Sequence, residues 1–318
     1  MDNTHYVGFD ISKLTIDYAF EKSDGNWLFR KIDYTRNALN ELITKLPKDY
    51  VCVMEATGPY YLKLANLLYA KGFKVSVVNP LIIRRFSQMK LIRTKTDKAD
   101  AKIICQFGKE QKPEYWQPKE KVIHQLRQKL STQEFFIKQR TSFQNKLEAL
   151  NHDENADKSC VRMTKQEIRN IDKKIYLLDR EIEVLVKENY SQQFNMIKTI
   201  PGVGKKTAAT LIAITNAFRS FENHRKLASY IGLCPRVYES GTSVRGKARI
   251  CKLGMKRMRQ LLYLAALSAS KHNKACINLY NRLIEKGKPV KLALIAVANK
   301  LIRQVFGVIN NNLPYCTF

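Results

Sequence analysis

The chain has 318 residues, 45% of them hydrophobic, with 56 Lys and Arg against 28 Asp and Glu, a formal net charge of +28 and a pI near 9.8. This imbalance favours a polyanionic partner over acidic small molecules, and because the basic residues run through the whole chain a long nucleic-acid contact surface is expected. The length exceeds one typical core and calls for two or three structural units.

The seven cysteines are widely spaced with no C-x-x-C pair, which fits a reducing compartment, and the five dispersed histidines outline no zinc site. No apolar run approaches the roughly 18 residues of a membrane span, and MDNTHYVGFD lacks a signal-peptide pattern. A soluble cytoplasmic protein with no membrane partner is the expectation.

From His5, the runs HYVGFD, TIDYAFEK and NWLFRKIDY read as three strands joined by turn signals such as SDGN, an antiparallel meander. A helix over ALNELITKL, the strand YVCVMEA, a helix through YYLKLANLLYAKG, the strand FKVSVVNP and helical segments to about Lys109 come next. The order β-β-β-α-β-α-β-α is that of a ribonuclease-H-like fold, in which the first strand, the fourth strand and a late helix supply acids.

Beyond Lys112-Pro113 a basic helical stretch runs from about Lys119 to Leu150, with Val122, Leu126 and Leu130 four apart. After the polar loop NHDENADKSC, Ile168, Ile171, Ile175, Leu178, Ile182 and Leu185 repeat at steps of three and four, the seam of a coiled coil. The two arms predict an antiparallel hairpin or a dimer stalk. The fold class is thus α/β plus α, with an N-terminal domain over 1–112, a coiled-coil hairpin over 113–190 and a mostly helical domain over 191–318.

The last part opens with IKTIPGVGKKTAATLIAI. Pro201-Gly202-Val203-Gly204 between two helical patterns is a helix-hairpin-helix signature, in which backbone N–H groups and the next helix N-terminus meet a phosphate beside Lys205 and Lys206. A Walker A loop is the competing reading of GVGKKT, but Thr199 stands where its first glycine belongs. A purely structural turn also fits.

Four acids suit two-metal phosphoryl transfer: Asp10 ending the first strand, Glu55 ending the fourth, and Asp97 with Asp100 in TKTDKADAK. Such chemistry needs carboxylates converging from several elements, and an i, i+3 pair on a helix shares one face. Magnesium, as about two ions per site, is the natural choice for all-oxygen ligands acting on phosphates. In VYESGTSVRGKARICKLGMKRMRQ, Ser240-Gly241 precedes Arg245, Lys247, Arg249 and Lys252. A serine is a poor nucleophile unless its proton is withdrawn or the developing phosphate charge is stabilised, and the cations suit the second task. The loop taken alone reads equally as a phosphate-binding element.

D-I-S-K, E-A-T-G-P, K-T-D-x-x-D-A, the P-G-V-G hairpin and S-G-x-x-x-x-G-K-x-x-I-x-K-x-G-x-x-x-x-R together resemble the DEDD transposases of the insertion-sequence one-hundred-and-ten family, relatives of the pilin-gene DNA invertase. The resemblance covers nearly the whole chain. It implies a Holliday-junction-resolvase-like N-terminal domain, a coiled-coil middle and a C-terminal transposase domain. It puts the four acids at Asp10, Glu55, Asp97 and Asp100 and the serine nucleophile at Ser240, with Ser243 as the alternative. It further implies recombination of donor and target double-stranded DNA guided by a bridge RNA, in a homo-oligomer, dimer or tetramer, where one protomer's acids meet another's serine. A guide RNA would account for the lack of any helix-turn-helix or zinc-finger reader.

Overall fold

The computed structural model describes residues 4–22, 24–92, 96–236, 239–240, 244–245, 249–251 and 253–316, with backbone alone at 236, 239–240, 244–245 and 249. Two compact units result, Met1–Pro118 and Lys119–Phe318.

In the first, β1 (Tyr6–Ile11), β2 (Thr15–Glu21), β3 (Trp27–Asp33), β4 (Val51–Glu55) and β5 (Lys74–Val78) form one mixed sheet in the order β3-β2-β1-β4-β5. The first three strands are antiparallel, as the short turns require, while β4 and β5 run parallel to β1 after helical crossovers. Alternation sends Val7, Phe9, Ile11, Ile16, Cys52 and Met54 to one face, where α1 (Arg36–Lys45) and α2 (Tyr61–Ala70) bury Leu39, Leu42, Leu64 and Leu68. Val51, Val53 and Val78 face the other way, against Ile83 and Phe86 of α3 (Pro80–Met89) and Ile103, Ile104 and Phe107 of α4 (Asp97–Gln111). The mixed α/β architecture and element order match the expected fold at this coarse level.

Glycine sets the height of α4 above the sheet. A Cβ at Gly8 would lie 2.3 Å from the Ala101 carbonyl oxygen and 2.4 Å from the Cys105 nitrogen, so helix backbone rests directly on β1. Gly108 repeats the contact further along the helix, where a Cβ would meet Val53 Cγ2 at 2.6 Å. Between them the Cys105 thiol donates to the Tyr6 carbonyl at 3.1 Å, and burial pushes that thiol up to about 12, which leaves it a packing group rather than a nucleophile.

In the second unit α5 (Lys121–Asn151) and α6 (Lys158–Lys198) pair within one chain. Lys129 meets Glu181, Gln133 meets Asp179 at 2.7 Å and Arg140 meets Asp172 at 3.1 Å; one index falls as the other rises, so the hairpin is antiparallel. Ile171, Ile175 and Ile182 of the predicted seam are buried, and Ile168, Leu178 and Leu185 are half-buried. The base of the hairpin is not a separate body: Ile123, Leu126, Ile182 and Val186 share one core with α7 (Lys205–Thr215), α8 (His224–Ile231), α9 (Lys256–His272) and α11 (Val290–Asn311).

Helix α11 corrects one expectation from the sequence. It is long and apolar enough to cross a membrane, with a mean hydropathy of 1.7, although no run was expected to approach that length. Its Lys291, Lys300 and Arg303 interrupt the apolar residues along the sequence but leave one face of the helix apolar. Ala293, Leu294, Val297, Ala298, Leu301, Ile302 and Val305 bury that face in the core of this unit.

At the corner between α9 and α10 (Lys274–Glu285), Asn273 is wholly buried. Its Oδ1 accepts from the Tyr315 hydroxyl at 3.0 Å and the Cys276 N–H at 3.2 Å, while its Nδ2 donates to Gln304 Oε1 at 3.0 Å and to the Pro201 carbonyl at 3.4 Å. One amide therefore ties the hairpin turn, the helix corner and the C-terminal segment together. Asn273→Ala strands these partners and is expected to cost about 3 kcal/mol, read as a lower urea midpoint with unchanged m-value.

Candidate active site

Strand register and helix position together bring the acids to one place. The last β1–β4 pair is Phe9 with Met54, and Asp10 and Glu55 each come one residue later at neighbouring strand ends. Both point to the face that α4 covers, since Phe9 and Met54 point to the opposite one. Helix α4 starts there: Thr96 caps it by accepting from the Ala99 N–H at 3.2 Å, and Asp97 and Asp100 occupy its first turn, where the helix dipole favours negative charge. The Thr57 hydroxyl donates to Glu55 Oε1 at 3.0 Å and fixes that carboxylate at the strand end.

Asp10 sits in the field of the other acids. Burial, followed by the charges of Asp100, Asp97, Glu55 and Asp17, pushes the Asp10 carboxyl up to about 6. All four sequence-predicted acids are therefore within electrostatic reach of one centre. A fifth acid, Asp17, is absent from the set expected from the sequence. It faces Asp10 across the β1–β2 pair and is buried, and Lys31, its register partner on β3, lies 3.4 Å away. The signal was an acid inside the otherwise apolar strand TIDYAF, opposite Asp10 across a tight turn.

The donor set, all carboxylate oxygen, fits a hard divalent cation. Among the described residues, however, no three acidic, histidine or cysteine side chains already stand close enough together to hold an ion. Lys31 instead lies between Asp17 and Asp97, 3.3 Å from the latter.

The second predicted constellation sits in the other unit. Ser240 belongs to β7 (Glu239–Ser240), which pairs with β8 (Val244–Arg245) so that Ser240 is in register with Val244 and Glu239 with Arg245. Arg249 belongs to β9 (Arg249–Ile250), paired with β6 (Pro235–Arg236). Gly241, Ser243, Lys247 and Lys252 lie outside the described residues.

At the Pro201–Gly204 turn, Gly202 has φ +99° and a Cβ there would come within 2.7 Å of the Ala269 Cβ, so this glycine permits both the turn and its contact with α9. Gly204 and the lysines after it are exposed. Lys205 lies 2.8 Å from Glu183, and Lys206 lies 2.9 Å from Asp179. Hydrogen bonds from Lys187 and Lys205 hold the Glu183 carboxyl down at about 2. A phosphate reaching this turn must therefore compete with carboxylates already in place.

Comparison with known proteins defines the chain as a DNA transposase or recombinase. The model for DEDD transposases of IS110 type matches residues 7–151, and the model described as "Transposase IS116/IS110/IS902 family" matches 195–281. The chain is 32% identical over 325 residues to the "Pilin gene-inverting protein" of Moraxella lacunata, covering 98% of this chain and 97% of the relative. The corresponding protein of Moraxella bovis is also 32% identical, over 323 residues, with the same coverage. The "Transposase for insertion sequence element IS1328" of Yersinia enterocolitica is 22% identical over 84% of each chain. The chain belongs to the IS110 family of DEDD transposases. Its substrate is accordingly DNA, and a DEDD domain implies dependence on a divalent metal.

Proposed function

We propose that this enzyme cleaves and rejoins DNA through a covalent phosphoserine intermediate, with Asp10, Glu55, Asp97 and Asp100 as the metal-holding acids of a ribonuclease-H-like domain and Ser240 as the nucleophile. The observation that carries this reading is that Asp10 and Glu55 come at neighbouring strand positions on the sheet face covered by α4, whose first turn holds Asp97 and Asp100, in a chain whose second family match spans Ser240. Mg²⁺, as two ions, suits the carboxylate set; bound there, it supplies Lewis acidity and neutralises charge on the reacting phosphate. Glu55 is held by Thr57, and the first turn of α4 presents two carboxylates to Asp10, so the protein's part is to orient oxygen ligands from three elements around one phosphate.

In the chemical step the Ser240 Oγ loses its proton and bonds to phosphorus. The P–O3′ bond breaks, and the departing 3′ oxygen takes a proton to become a free hydroxyl. Rejoining reverses this when a 3′-hydroxyl attacks the phosphoserine, so no ATP is consumed.

Arg245, Lys247, Arg249 and Lys252 with Gly241 hold phosphate near the serine, and Lys205 and Lys206 contact backbone at the helix hairpin. A net charge of +28 supports simultaneous binding of double-stranded donor and target DNA and of a guiding bridge RNA. The working form is a homo-oligomer in the bacterial cytoplasm, in which the acids of 1–112 in one protomer serve the serine of 191–318 in another, with 113–190 as the helical connection.

The test uses protein purified with its co-expressed RNA, a DNA carrying the element junction, and Mg²⁺. A protein–DNA adduct is expected in wild type and absent in Ser240→Ala. An adduct that survives Ser240→Ala but not Ser243→Ala reassigns the nucleophile; cleavage with no adduct at all makes a metal-bound water the attacking group.

A further inference from the structure

Lys31 has a position that the acid tetrad does not explain. On the face covered by α4, Asp10, Asp17 and Lys31 form one row across β1, β2 and β3, each in register with the next. The Lys31 ammonium lies 3.4 Å from Asp17 Oδ2 and 3.3 Å from Asp97 Oδ2. One ammonium thus joins the strand hairpin to the first residue of α4, the helix whose first turn brings Asp97 and Asp100 to Asp10.

The two ends of this bridge differ. The Asp17 side chain is 11% exposed and that of Asp97 is 64% exposed. A buried carboxylate that loses its cation is left uncompensated, whereas an exposed ion pair is weak and exchanges readily. Lys31 therefore stays with Asp17 and can release Asp97. While it is held, Asp97 is neutralised by a protein cation at the point where a metal ligand is needed.

We propose that Lys31, seated on Asp17, is a positioning residue that holds Asp97 and the first turn of α4 beside Asp10 before metal arrives, and that a divalent cation gains Asp97 by displacing the ammonium. This rests on the reading of the acids as the metal site. Asp17 is then the anchor of the displaced lysine, which explains a buried carboxylate next to a site that gathers negative charge.

The experiment compares the full-length wild type with Lys31→Met, Lys31→Arg and Asp10→Asn by two readouts. These are hydrogen exchange of residues 96–102 without metal, and Mn²⁺ binding followed by water-proton relaxation. Lys31→Met is expected to exchange about fivefold faster in that segment because the restraint is gone, and to bind Mn²⁺ about fivefold more tightly because loss of the competing charge outweighs loss of the restraint. Added Mn²⁺ restores protection, and Lys31→Arg behaves as wild type. Unchanged exchange in Lys31→Met, or Mn²⁺ binding that is equal or weaker, overturns the proposal. If wild type and Asp10→Asn bind Mn²⁺ alike, the metal-site reading fails and the displacement falls with it, while the exchange readout still decides whether Lys31 holds α4.

Discussion

Asp10→Asn is expected to lose DNA cleavage by roughly a thousandfold and yet, free of metal at neutral pH, to unfold at a higher temperature than wild type. The two effects share one cause. Burial and four neighbouring carboxylates raise the Asp10 carboxyl from 3.8 to about 6, so the folded chain binds its proton more tightly than the unfolded chain does. Stability then falls as pH rises through the window from 3.8 to about 6, and above it the ionised group is a standing cost to the fold. Because Asp10 is only half-buried, solvent screening reduces that cost to about 1–2 kcal/mol. The amide that Asp10→Asn introduces cannot ionise, so the cost disappears. Thermal unfolding in chelator should show Asp10→Asn more stable than wild type near neutral pH, with the gap closing below pH 4. A gap independent of pH would mean that burial and the neighbouring acids do not raise the Asp10 carboxyl. Divalent metal should stabilise wild type more than the variant, since cation binding relieves the same repulsion.

Gly8→Ala is the second large effect, and it acts without touching a carboxylate. The added methyl would overlap the Ala101 carbonyl oxygen and the Cys105 nitrogen, both backbone atoms of α4 that cannot turn aside as a side chain could. Either the helix lifts or the strand shifts, at a cost of about 3 kcal/mol. A lifted α4 carries Asp97 and Asp100 away from Asp10, and because ligand geometry must hold within fractions of an ångström, cleavage should fall by at least about a hundredfold even where the chain remains folded. Circular dichroism separates the cases: a folded, inactive Gly8→Ala with weakened Mn²⁺ binding supports helix height as the determinant. An active one would show that the site tolerates displacement of α4. Gly108→Ala makes a useful companion, because its clash is with the Val53 and Tyr6 side chains, which can adjust, and its effect should be smaller.

The sequence alone carried the local order of this protein. Turn signals bounded the strand runs β1 to β3, apolar runs marked β4 and β5, and the three-four spacing of Ile168 to Leu185 marked the long arm, because each depends only on neighbours along the chain. Asp10, Glu55, Asp97 and Asp100 could be singled out for the same reason: each lies near a strand end or in the first turn of a helix. What lay beyond reach was whatever needs two distant segments at once. Asp17 and Lys31 came into one row with Asp10 only through the register of β1, β2 and β3. Gly8 gains its purpose only from the approach of α4. The Pro201–Gly204 turn reads as a phosphate clasp, but its contacts with α9 and with Asn273 add a packing role. The charged residues within α11 masked its apolar face, because burial belongs to a face and a linear count averages over all faces. Local propensity is encoded in short range; register, helix height and burial are set by close packing between segments that the chain brings together only on folding.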